Sequence, residues 1–272
     1  SAPATVGAHF RVLGVESQGG GGAVRRNDRN GVALKLCYTA ALFQLNTTVM
    51  SHEFPEDHKQ AVYNAIYQRR DMRHFLSTPV DPDILQKLLA AAHAAPSVGM
   101  MQPWRFIRIS DKNIRQSLHQ LAEQERIKTA EALEQRQDEF MRLKVEGILE
   151  CGELLVVGLM DKRENYVFGR RTLPEMDLAS VSCAIQNMWL AGRAEGLGLG
   201  WVSLFDPEAV RELLGMPDDT KPIAILCLGH VEKFYDEPML EQEGWIKSGK
   251  LDNVVMENNW QEDKAHNAHK RD

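Results

Sequence analysis

From about residue 58 onward the apolar residues come in short runs, and their spacing switches between helical and strand-like. In "DHKQAVYNAIYQRR", Val62, Tyr63 and Ile66 recur at helical spacing. In "DPDILQKLLAAAHAAP" the apolar stripe is Ile84, Leu85, Leu88, Leu89 and Ala92. Asp81 stands there as N-cap, Pro82 at the first helical position, and Pro96 as the stop. "WRFIRIS" reads as a strand, after which Ser110 or Asp111 caps another helix. Residues 117–149 read as one long, highly charged helical stretch. "LLVVGLM" (154–160) reads as a buried strand. "DLASVSCAIQNMWLAGRAEG" (177–196) reads as an apolar helix closed by Gly196. "GLGWVSLF" follows as a strand that carries Ser203. "DPEAVRELLG" is a short helix between Asp206 and Gly215, and "KPIAILCLGHV" is the last core strand. Helices and strands mix without strict alternation, which predicts an α+β fold rather than a doubly wound sheet.

The two ends lack this pattern. Residues 1–49 contain "GGGG" and "VRRNDRNG" and no sustained apolar period; Met50 then opens a segment that resembles a native start. They are read as an N-terminal extension, with 52–262 as the folded domain and 263–272 as a polar tail. A signal peptide with "ALKLCYTAALFQL" as its core fits less well, because Lys35 interrupts the core. Trp245 and Trp260 are the aromatic anchors expected beyond residue 231.

Charge and cysteine content narrow the function classes. A net charge of -6 argues against general nucleic-acid binding, and no run of about 20 apolar residues offers a membrane span. Cys37, Cys151, Cys183 and Cys227 are scattered without a CxxC and read as buried free thiols of a reducing, cytoplasmic setting. The nine histidines are also scattered. "HNAH" (266–269) has helical ligand spacing but lies in the polar tail, so no metal site is expected, and His93 reads as a helix-face residue.

Three clusters carry candidate chemistry. In "RRDMRHF", Arg69, Arg70 and Arg73 stand close enough to share an anion, and forked guanidinium donors suit a phosphate. A solvated basic patch or local ion pairs would explain them equally well. Asp71 among them would repel a phosphate; it reads either as an acid or base facing another part of a ligand, or as an ion pair with Arg69 or Arg73. In "APSVGMMQPW", Ser97 and Gly99 let a ligand approach the backbone, Gln102 offers donor and acceptor, and Met100 and Met101 offer soft apolar surface. A plain helix-to-strand turn with core-filling methionine is the simpler reading on pattern alone. In "GLGLGWVSLF" the glycines run from helix into strand, the reverse of a Rossmann turn, and Ser203 lies beyond them as a strand hydroxyl.

Taken together and in this order, "RRDMRHF", "APSVGMMQPW", "PEMDLASVSCAIQNMWLAGRAEGLGLGWVSLF" and "CLGHV…EPML…GW" resemble the nitroreductase-like flavoprotein family, and within it the branch of flavin destructases. The resemblance spans about residues 60–260. It implies an α+β sandwich, a central, mostly antiparallel sheet flanked by helices, in a domain-swapped type of homodimer with flavin at the interface. It further implies that reduced FMN is the substrate. FMN reacts with O2 and is fragmented to 5,6-dimethylbenzimidazole, the lower base of cobalamin, and erythrose 4-phosphate. A separate flavin reductase would supply the reduced FMN, and no metal would take part. Asp71 and Ser203 match the catalytic positions. Arg69, Arg70, Arg73, Ser97, Gly99, Gln102, Met176, Asp177 and Leu204 match the flavin-binding positions, and a lid falls within 117–149. An NAD(P)H-dependent nitroreductase or flavin reductase, and a flavin-binding protein without turnover, are the rival functions on the same fold.

Overall fold

An antiparallel sheet organises the residues that the structure, a computed structural model, describes: 52–261. The expectations for residues 1–49 and 263–272, and those resting on Cys37, Met50, His266 and His269, fall outside the described residues. The elements run in the order α1 (Glu56–Gln68), α2 (Pro82–His93), β1 (Trp104–Arg108), α3 (Lys112–Ala132), α4 (Gln137–Arg142), β2 (Glu153–Leu159), α5 (Met176–Ala194), β3 (Gly198–Val202), α6 (Pro207–Leu213), β4 (Lys221–Gly229) and α7 (Met239–Gln242). Strand order is β1-β2-β4-β3, every pair antiparallel. The α+β expectation holds.

The sheet is buried on both faces. Along β2 and β4, alternate residues face opposite ways. Leu155, Val157, Leu226 and Leu228 pack with α2 (Leu85, Leu88) and α5 (Ile185, Met188). Leu154, Val156, Ile225 and Cys227 pack with α3 (Leu118, Ala122) and α6 (Val210). Each fully buried leucine or isoleucine contributes about 1.5–3 kcal/mol, and this two-sided burial is why the strands read as unbroken apolar runs. The caps form as the sequence predicts. Asp81 accepts from the Asp83 amide, Asp111 from Asn113 and Ile114, and Asp206 from Glu208 and Ala209. Gly196, at φ +77°, ends the turn after α5 in the left-handed region.

Four expectations are corrected. The charged stretch is not one helix: α3 ends at Ala132, Glu134 takes φ +43°, and residues 143–152 are irregular before β2 begins. The break is tertiary in origin. Arg126 Nη2 donates to the carbonyls of Met141 (2.6 Å) and Leu143 (3.1 Å), and this folds α4 back beside α3. Cys183 is exposed, because it lies on the face of α5 turned away from the sheet, while Cys151 and Cys227 are buried free thiols. Trp260 is 75% exposed and anchors nothing, whereas Trp245 packs on Phe140. Ser203 lies just past the end of β3 rather than within it.

Helix α1 has the predicted apolar spacing but buries no residue within this chain: Val62, Tyr63 and Tyr67 are all largely exposed. Among the described residues no helix is long and apolar enough to cross a membrane.

The segment after α1 lies parallel along β3, with Asp71 bridged to Leu199 and the Met72 amide donating to the Leu199 carbonyl at 3.0 Å. Gly200 makes this approach possible, since a Cβ there would collide with the Met72 carbonyl oxygen and stand 2.9 Å from Arg73 Nη1. Gly200→Ala is therefore expected to cost about 1–3 kcal/mol by overpacking. Urea unfolding would measure the loss, and an unchanged midpoint would contradict the close approach.

Candidate active site

The site grows out of the end of α1. Arg69 leaves the helix with φ -62° and ψ 137°, and the extended chain then alternates its side chains. Met72, 1% exposed, points into the core and fixes the segment. Asp71 and Arg73 point the other way. Asp71 Oδ1 accepts from the Trp201 amide at 2.9 Å, and Oδ2 accepts from Arg73 Nη2 at 2.6 Å. Arg73 Nη2 also donates to the Trp201 carbonyl at 3.0 Å, so both peptide groups of Trp201 are engaged.

The three arginines are not equivalent. Arg70 donates to the carbonyls of Tyr67, Arg69 and Asp236, fastening the segment to the chain beyond β4. Arg73 is the internal partner of Asp71, and the ion-pair reading of that aspartate is observed. Of the three, Arg69 makes no side-chain hydrogen bond among the described residues. Its guanidinium lies 4.7 Å from the ring of Trp189, whose indole nitrogen donates to the Arg70 carbonyl. Arg70 Nε and Arg73 Nη1 are buried without a partner. Buried N–H groups in this condition are expected to find an acceptor, which makes them fit to complete an anion site with Arg69.

Burial holds the Asp71 carboxyl above the usual carboxylate range, against the opposing pull of Arg73, the Trp201 amide and Arg69. Its side chain is nonetheless 41% exposed, because it forms part of the floor of a cleft. The carboxyl is thus surrounded by protein yet reachable by a ligand.

The cleft has a volume of about 490 Å³. Arg69, Arg70, Asp71, Arg73, Trp201 and Ser203 line it together with an apolar roof of Phe140, Leu143, Val145, Leu204, Leu240 and Trp245. Leu204, Val145 and Trp245 pack against Phe140 and Leu143. The two parts of the roof hold each other: Phe140 meets Trp245 with ring centroids 6.0 Å apart, and Arg136 lies 3.3 Å from the Trp245 ring centroid. Arg136 Nη2 also donates to the Trp245 carbonyl at 3.1 Å. These roof residues escape a reading by residue type, since apolar positions in a charged stretch and in a polar tail look like ordinary anchors.

Ser97, Gly99, Gln102, Met176 and Asp177 do not line this cleft. They gather at the opposite end of α5. Ser97 Oγ accepts from the Gln102 amide, and Ser180 Oγ accepts from Val98 while donating to the Met176 carbonyl. Gly99 sits at φ +52°, with no room for a Cβ against the Phe168 carbonyl oxygen at 2.9 Å. Met100 is 81% exposed. Asp177 is buried between Arg163 and Arg170, each 3.1 Å from Oδ2. Ser180 meets this turn and Trp189 meets Arg70; nine residues of α5 separate them, about 14 Å along the axis. The candidate residues therefore form two half-sites in one chain. His93 Nδ1 accepts from the Trp104 indole at 3.2 Å, as a helix-face residue.

Comparison with known proteins adds three findings. Residues 66–230 match the family described as the Nitroreductase family. The chain is 41% identical over 187 residues to the 5,6-dimethylbenzimidazole synthase of Rhodospirillum rubrum, a span of 67% of this chain and 88% of that one. It is 37% identical over 194 residues to the 5,6-dimethylbenzimidazole synthase of Rhodobacter capsulatus, covering 71% and 94% respectively. Its fold resembles the NADPH:FMN oxidoreductase from Vibrio harveyi, with a TM-score of 0.56 and 22% identity over 76% of this chain and 82% of that one.

The surroundings of Asp71 have a measurable consequence. Its folded pKa is raised, so across the window above the ordinary value the folded chain holds a proton that the unfolded chain has released. Its contribution to stability is present in acid and is lost as pH rises through the raised value. A carbon-13 NMR titration, assigned with Asp71→Asn, should show the carboxyl titrating above its ordinary 3.8. Titration below that value would mean that Arg73 outweighs burial.

Proposed function

This chain belongs to the nitroreductase family, and from that premise we propose that it is a 5,6-dimethylbenzimidazole synthase. It fragments reduced FMN with O2 to 5,6-dimethylbenzimidazole and erythrose 4-phosphate, providing the lower ligand of cobalamin. One observation carries the reading: the similarity to two synthases of that name at 41% and 37% identity, over 88% and 94% of their lengths.

The cleft fits such a substrate. Reduced FMN, when bound, supplies both the electrons for O2 and the carbon skeleton that is cleaved. Arg69 grips its phosphate, with Arg70 Nε and Arg73 Nη1 as the further donors. Phe140, Leu143 and Trp245 face its rings and exclude water as a lid does. Asp71, with a raised pKa and Arg73 to stabilise its ionised form, takes up and returns protons as the ribityl chain is oxidised and cut. Ser203, at the cleft wall, holds a hydrogen bond near the reacting ring, and Leu204 packs beside it.

The second half-site reaches the flavin from another copy of the chain. The homodimer is supported by α1, which has exposed apolar residues and no buried one, and by the exposed Phe168 and Leu173 beside the Ser97 turn. In the dimer, Ser97, Gly99, Gln102 and Met176 of one copy close over the cleft of the other, and Asp177 holds that segment in shape through Arg163 and Arg170. A cytoplasmic flavin reductase delivers the reduced FMN.

The deciding experiment gives purified protein chemically reduced FMN, then air, and analyses products by mass spectrometry. The expected product is 5,6-dimethylbenzimidazole, formed as FMN disappears. Asp71→Asn should still bind FMN and yield at most about 1% of that product, the scale of a lost proton-transfer group. Flavin recovered intact would overturn the proposal; NAD(P)H consumption would then indicate a nitroreductase or flavin reductase, and its absence a binding protein.

Two variants divide the binding reading. Arg69→Ala should weaken reduced-FMN binding by about 2 kcal/mol, roughly 30-fold, with no loss of riboflavin binding. Val62→Glu should shift the chain to a monomer in sedimentation and weaken FMN binding as well. Equal affinity of the unaltered protein for FMN and riboflavin would contradict the phosphate grip, and a monomeric unaltered protein would contradict the composite site.

A further inference from the structure

Glu146 is a carboxylate in an awkward place. It lies in the irregular segment between α4 and β2, and its side chain is only 10% exposed. Oε2 accepts from the Ile148 amide at 2.5 Å. Oε1 accepts no hydrogen bond among the described residues and instead points at His119 Nε2, 3.7 Å away on α3. The neighbouring cations are engaged elsewhere: Lys144 pairs with Glu150 at 2.9 Å, and Arg126 Nη1 pairs with Glu123 at 3.2 Å. Buried carboxylates are normally matched by a cation with good geometry or by a metal ion.

One turn along α3 from His119 stands Glu123, on the same helix face at i+4 spacing. His119, Glu123 and Glu146 can each offer one ligand atom with all three atoms within 4.8 Å of one another. Donors around a tetrahedral zinc at about 2.05 Å stand roughly 3.4 Å apart, so small side-chain rotations would close the set. One imidazole and two carboxylates suit a borderline divalent ion rather than calcium or magnesium. The reaction proposed above does not need a metal at this cluster.

We propose that His119, Glu123 and Glu146 form a site for a divalent transition cation of the zinc type, which fastens residues 143–149 to α3. The function of the site is mechanical. Leu143 and Val145 of this segment form part of the roof of the cleft, and Gly147 lies against Phe75 and the Arg73 carbonyl. An ion at Glu146 would hold that wall in place from behind, without touching the substrate. The spacing H-x3-E at 119–123 is visible in the sequence; its third member is brought in only by the fold.

The test needs no flavin and so stands apart from the proposed reaction. The full chain is stripped with chelator and titrated with zinc chloride by calorimetry, with metal content measured after dialysis. One zinc per chain is expected, with a rise in Tm. His119→Gln and Glu123→Gln should each weaken binding at least tenfold and abolish the Tm rise, while Glu150→Gln should change neither. Far-UV circular dichroism checks that each variant folds; Glu123, the more exposed ligand, is the safer substitution. Cobalt(II) in place of zinc should give a visible absorption of low-coordinate type in the unaltered chain, lost in Glu123→Gln. Absence of zinc binding at roughly 100 µM metal, well above the concentrations at which structural zinc sites fill, would overturn the proposal. So would binding unaffected by either ligand substitution but lost in a chain carrying His266→Ala and His269→Ala.

Discussion

The carboxylate of Asp71 accepts from the Trp201 amide and from Arg73, while Arg73 donates to the Trp201 carbonyl. This small closed circuit joins the extended segment after α1 to the outer edge of β3. An edge strand otherwise presents unpaired peptide groups; here the pairing is completed by side chains whose charges also face the cleft. The circuit fixes the course of the segment that carries Arg69 and Arg70, whose own side chains are held by Asp236 and Trp189. The bare backbone of Gly200 lets the two segments lie this close, so the position of the charged floor depends on a residue with no side chain at all.

The circuit also accounts for the mixture of charges in "RRDMRHF". Arginines and an aspartate packed into five positions suggest one shared task, but the fold divides them. Arg70 is a clamp to the carbonyl of Asp236, Arg73 neutralises and orients Asp71, and Arg69 faces outward over Trp189. An acid in such a place can remain protonated at higher pH than usual and still be stabilised when it ionises, a useful combination for a group that must both give and receive a proton.

Much of the architecture was legible in the sequence because local signals and burial agree. The strand at 153–159 is apolar throughout because it is covered on both faces, and Asp81, Asp111 and Asp206 cap the helices that follow them. What was not legible depends on partners far away in the chain. The division of labour among the arginines is set by Asp236 and Trp189, 166 and 119 positions from Arg70. The break after Ala132 is set by Arg126 reaching forward to Met141 and Leu143, which no helical periodicity reveals. Trp245 and Trp260 occupy similar polar surroundings in the sequence, and only the presence of Phe140 and Arg136 distinguishes the partly buried one from the exposed one. The separation of the Ser97 turn from the arginine cleft was likewise hidden, since sequence order says nothing about which end of α5 each cluster meets.

The roof of the cleft has a further consequence. Its two parts come from segments about a hundred residues apart, yet they grip each other through Arg136, Phe140 and Trp245. Two independent flaps would leak at the sum of their separate opening rates. A roof cohesive within itself has to lift as one piece, so a single barrier governs both admission and escape. The residence time of whatever lies beneath is then set by one concerted event.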